Sequence, residues 1–87
     1  MRTYIFNWEE STNTIILEPT TCNKGGKTYR LSKKNVCTFV LKTEEKEIVT
    51  SLDGCIEYLN EELEKGDFIA LATFLYSWGQ YNGARMN

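Results

Sequence analysis

The spacing of apolar side chains changes once along this chain, and that change constrains the fold more than any motif does. Up to about Thr50 the apolar residues come in short runs of strand length, rich in β-branched and aromatic types and separated by turn clusters. Beyond it Leu52, Ile56, Leu59 and Leu63 recur at four, three and four residues, with Cys55 beside them, which places them on one face of a helix. Strands first and helices last predict an α+β domain, an antiparallel sheet packed on one face by two C-terminal helices. A chain of 87 residues has room for one such domain. Its 41% hydrophobic, 13% aromatic and 25% charged content is that of a globular protein and not of a disordered one.

The elements follow from the punctuation. Residues 3–8 and 14–17 read as a first hairpin about the polar turn 9–13. Pro19 and the segment 20–26 interrupt the pattern, and residues 27–31 and 36–41 then read as a second hairpin about the turn 32–35. The short run 47–49 supplies a fifth strand, so the sheet has four to five strands. Thr50 followed by Asp53 has the form of a capping box that starts the first helix, and Gly66 suits the residue that ends it. Asp67 is placed to cap a second helix, from Phe68 to about Trp78 or Gln80, with Phe68, Leu71, Ala72, Leu75 and Trp78 on its inner side. The single domain thus divides into a sheet region, 1–50, a helical pair, 51–82, and a flexible tail, 83–87.

Catalytic constellations are sparse. The stretch TCNKGGKT, residues 21–28, ends like a phosphate-binding P-loop but has Thr21 where the first glycine belongs, and the residues after Thr28 alternate like a strand instead of opening a helix. It reads as a turn whose glycines accept positive φ. The absence of His removes His-activated nucleophiles and His-based metal sites, and the cysteines, Cys22, Cys37 and Cys55, lie 15 and 18 residues apart without the paired spacing of structural zinc. No enzyme, metal or cofactor is expected. Three unpaired cysteines and no charged-then-apolar leader fit reduced thiols in the cytoplasm. The longest apolar run, 68–76, is far short of the roughly 20 residues of a membrane span, so no membrane contact is expected.

The charges are sorted along the chain, although the net value is only −2. Lys24, Lys27, Arg30, Lys33, Lys34 and Lys42 occur with no acid among them, and the acids dominate from Glu44 to Asp67. The basic segment with Tyr29 interleaved (Lys24, Lys27, Tyr29, Arg30, Lys33, Lys34) would track a nucleic-acid backbone, or else solubilise a hairpin edge. On the first helix Asp53, Glu57, Glu61 and Glu64 fall in a stripe about 80° wide at 100° per residue, away from the Leu face. Only Lys65, four residues after Glu61, offers them a counter-charge. On the second helix Phe74, Trp78 and Tyr81 share an edge, and aromatic residues of this kind anchor interfaces.

Asp53, Glu57, Glu61, Glu64, Phe74, Trp78 and Tyr81 are therefore the expected partner-binding residues. The partner is a larger protein, with self-association into a homodimer as the other use of the same aromatics. A nucleic-acid module built on residues 24–34 is the alternative. In class alone, a short, acidic, His-free chain resembles the small phage-encoded proteins that block host defence or transcription machinery, anti-CRISPR proteins among them. That resemblance implies an inhibitor acting in the host cytoplasm on a nucleic-acid-handling enzyme.

Overall fold

The computed structural model describes residues 2–78. Five strands, β1 (Tyr4–Glu9), β2 (Thr14–Pro19), β3 (Tyr29–Lys33), β4 (Phe39–Lys42) and β5 (Glu47–Thr50), are followed by helices α1 (Leu52–Glu62) and α2 (Lys65–Trp78). The sheet is an antiparallel meander in the order β1-β2-β3-β4-β5, the expected α+β architecture with all five strands present. The tail expected at 83–87 lies outside the described residues.

Register explains the core. Trp8, Ile15, Leu31, Leu41 and Ile48 are successive cross-strand partners, so one apolar row crosses the whole sheet. Beside it Phe6, Leu17 and Tyr29 form a second row on the same face. These rows meet Cys55, Ile56, Leu59 and Leu63 of the first helical segment and Leu71 and Leu75 of α2 in one buried cluster. Helix α1 packs on β4 and β5. Helix α2 reaches β1, where Phe74 meets Phe6 edge to face at 6.5 Å between ring centroids. On the opposite sheet face the row Asn7, Ile16, Arg30, Lys42 and Glu47 is exposed except for half-buried Ile16.

Several local assignments differ from the sequence reading. Strand β3 is central and not an edge, and the strands β3 and β4 run Tyr29–Lys33 and Phe39–Lys42, which lengthens the turn between them. Thr50 closes β5, and the helix cap is Ser51, whose hydroxyl accepts the Gly54 N–H at 3.1 Å. Thr50 instead packs against Gly54, where an added Cβ would lie 2.7 Å from the Thr50 hydroxyl oxygen. Helix α1 ends at Glu62 through extended Leu63, without a glycine cap, and Gly66 lies in the first turn of α2. Asp67 does not begin that helix but sits inside it, fully buried.

Candidate partner-binding surfaces

Helix α1 presents Asp53, Glu57 and Glu61 to solvent, as its heptad-like apolar face requires once Cys55, Ile56 and Leu59 are buried. Glu64 is exposed too but lies between the helices, off the regular stripe. The break after Glu62 also removes the helical spacing that would have brought Lys65 to Glu61. Among the described residues the only ion pair is Lys27 to Glu45 at 3.7 Å, so none of these residues supplies a cation to the α1 carboxylates.

The basic segment does not form one surface. Lys24 lies in the loop before β3 and Lys34 beyond its other end, while Arg30 faces the open side of the sheet and half-buried Lys33 the helix side. Lys27 is engaged with Glu45. Tyr29, the aromatic interleaved in this segment, is in the core at 3% exposure, its hydroxyl donating to Glu62 at 3.4 Å. Burial, helped by the neighbouring Tyr4 and Glu62, raises the pKa of that hydroxyl well above its ordinary 10.0. Tyr29 therefore offers no exposed ring to a surface formed by residues 24–34.

The glycine loop is a turn that leads into β3 and not into a helix. Gly25 has φ of 80°, and the Gly26 N–H donates to the Asn23 carbonyl at 3.1 Å. Asn23 continues the connection, donating from its side chain to the Thr3 hydroxyl, which in turn donates to Asp67 at 2.8 Å. The Asp67 carboxylate also accepts the Thr3 and Tyr4 backbone N–H groups at 2.6 and 3.0 Å. Every buried side-chain polar atom in the described residues has a partner, so this cluster ties loop, first strand and last helix together. Among the described residues no group of His, Cys, Asp or Glu could hold a metal ion.

The aromatic surface lies where α2 meets β1. A cleft of about 590 Å³ opens there between Phe6 and Trp8 on the strand and Ala70, Thr73, Phe74 and Ser77 on the helix, with Arg2 at its mouth. The Arg2 guanidinium stands 5.2 Å from the Phe6 ring centroid and donates to the Tyr4 carbonyl at 3.4 Å. Phe74, expected at an interface, forms part of this lining and is half-buried. Ile69 and Tyr76 are 52% and 41% exposed on the same helix. Trp78 closes α2, but its side chain and the whole of Tyr81 lie outside the described residues.

Arg2, Phe6, Trp8 and Ala70 were missed in the sequence. The available signal was the aromatic at every second position of β1, more than two helices can cover across five strands. Comparison with family models, curated proteins and solved structures finds no match for this chain.

Proposed function

We propose that this chain is a small non-catalytic binding protein that docks on a larger protein through the α2 and β1 side, with the α1 carboxylates guiding the approach. The open cleft carries the reading. The rest of the apolar sheet face is closed by the helices, yet here Phe6, Trp8 and Phe74 line an open cleft, and Ile69 and Tyr76 are exposed elsewhere on the same helix. Aromatic anchors in a concave apolar patch supply contact energy, and exposed charges outside it chiefly set association rate and selectivity.

Asp53, Glu57 and Glu61 favour a partner with a basic groove, such as an enzyme that handles nucleic acid. Inhibition of such an enzyme, as by phage-encoded anti-defence proteins of the anti-CRISPR kind, is the form of this function we favour, with the host cytoplasm as its location. No described helix is long and apolar enough to cross a membrane.

Ile69→Asp changes an exposed position and should leave thermal unfolding nearly unchanged while removing a partner captured by the parent chain, and Tyr76→Ala should weaken the same capture. Glu57→Lys with Glu61→Lys should slow that partner's association and reduce its salt dependence. The purified chain should release no phosphate from ATP or GTP. Capture unaltered by all four substitutions, or phosphate release lost in Lys27→Ala, would overturn the reading.

A further inference from the structure

We infer that the outer edge of β5 takes an extended basic segment from the partner, added to the sheet as a further strand, with lysine or arginine side chains that meet Glu57 and Glu61 of α1. This rests on the guiding role of those carboxylates in the docking function above and names what they guide.

The backbone defines the edge. The Thr43 N–H donates to the Lys46 carbonyl at 2.9 Å across the turn, so that carbonyl points toward β4. In a trans peptide the following N–H points the opposite way, so the Glu47 N–H faces away from the sheet. Strand geometry repeats every two residues. The N–H and carbonyl groups of Glu47 and Val49 therefore point off the sheet, while those of Ile48 and Thr50 face Leu41 and Phe39 of β4. No described residue pairs with the outward groups. Glu47 is exposed and Val49 is 49% exposed, so the side chains leave the edge reachable. Proline and bulges are common protections of such an edge, and β5 has no proline and no break in its register with β4.

Helix α1 makes this edge selective for positive charge. Thr50 packs against Gly54, and the Lys46 ammonium stands 5.0 Å from the Tyr58 ring centroid, so the helix lies over β5 along its Gly54 and Tyr58 side. At about 100° per residue, Glu61 and Glu57 are the next positions around the helix toward solvent. An added strand would lie about 4.8 Å beyond β5, with every second side chain on the helix side, where these two carboxylates stand. Glu47 is on the opposite face, so both faces of the edge carry an acid. Glu47, Glu57 and Glu61 form no ion pair with a described residue. Of the neighbouring cations, Lys46 is held over Tyr58 and Lys42 is one strand further in. The same charges disfavour a second copy, because a symmetric pairing of two β5 edges sets each acidic edge against its own like. Main-chain pairing supplies affinity in this recognition mode, and the alternate side chains supply selectivity.

The test uses the full chain and a library of random linear dodecapeptides. In the chain alone the Glu47 and Val49 amides should exchange hydrogen fast and the Ile48 and Thr50 amides slowly. Selected peptides should be rich in lysine or arginine and should slow exchange at Glu47 and Val49. N-methylation of every second peptide residue keeps the charge, and should abolish binding in one phase of methylation and spare it in the other. Glu57→Lys with Glu61→Lys, at exposed positions, should weaken the peptides about tenfold. Val49→Pro removes an outward N–H, which an edge strand tolerates, and should abolish binding; if that variant unfolds, the methylated peptides decide. Selected peptides without basic residues, equal binding in both phases of methylation, protection of other amides instead, or a library yielding nothing above the background of the doubly substituted chain would each overturn the proposal. Exchange at Glu47 and Val49 in the chain alone that slows with concentration would assign the edge to a second copy. Slow exchange independent of concentration would assign it to another part of this chain, and either result overturns the proposal. The docking function survives those results if Ile69→Asp still loses the partner. Docking through α2 and β1 fails separately if Ile69→Asp keeps every partner while the selected strands bind.

Discussion

The Asp67 carboxylate accepts the Tyr4 backbone N–H at 3.0 Å across 63 positions of sequence, joining the last helix to the first strand. With the Thr3 N–H and hydroxyl, it receives three hydrogen bonds while wholly excluded from solvent. A carboxylate so placed satisfies donors that would otherwise be buried and orphaned.

Asp67→Ala leaves two backbone N–H groups and a hydroxyl without their acceptor, so it should destabilise the fold by about 3 kcal/mol. Asp67→Asn keeps one carbonyl oxygen for the two N–H groups and should be milder. Urea unfolding followed by far-UV circular dichroism separates the two. Equal midpoints for both variants and the parent would show that the cluster contributes no stability.

Ser51→Ala removes the hydroxyl that accepts the Gly54 N–H and should cost about 1 kcal/mol in the same measurement. Loss of stability in Thr50→Ala without loss in Ser51→Ala would return the cap to Thr50.

Cys22 and Cys37 are exposed and Cys55 is fully buried. An alkylating reagent at neutral pH should therefore modify two thiols quickly and the third only as the structure opens. Mass spectrometry showing Cys55 labelled as fast as the other two would contradict the packing of α1.

Burial pushes the Cys55 thiol up to about 11 from an ordinary 9.0, and raises Tyr29 above its ordinary 10.0. Both groups hold their protons more tightly in the folded chain, so the folded state binds more protons than the unfolded state at alkaline pH. Their contribution is complete below pH 9.0 and is lost as pH rises, between 9.0 and about 11 for Cys55 and above 10.0 for Tyr29. The urea midpoint should fall through that window, and Cys55→Ala should flatten the first part of the decline. A midpoint that rises with pH there would contradict the assignment.

The architecture was legible because the apolar period reports which faces are buried, and of the predicted helix face Cys55, Ile56, Leu59 and Leu63 are buried and Leu52 packs half-buried beside them. Asp67 and Gly66 were misread because a carboxylate before a helix and a glycine after one each satisfy a local rule, while the partners that fix Asp67 are Thr3 and Tyr4 in the first strand region. Tyr29 was misread for a related reason. Its flanking lysines mark the segment as polar, yet strand alternation turns Tyr29 inward and Arg30 outward. The acidic positions of α1 were recovered as exposed, whereas the cleft was not visible, because it depends on which strand α2 lies against.

Every strand of the meander pairs with its neighbour in sequence, so the sheet needs only short loops to close. Asp67 is the exception. During synthesis on the ribosome all five strands have been made before the residue that fastens the first of them exists in the chain. The nascent sheet must therefore pass through an interval with the Thr3 and Tyr4 amides unclaimed and the part of the apolar face that α2 covers still bare. In the complete chain the separation of 63 positions makes the Asp67 contacts a late step of folding, so a substitution there should accelerate unfolding and leave the rate of refolding nearly unaltered.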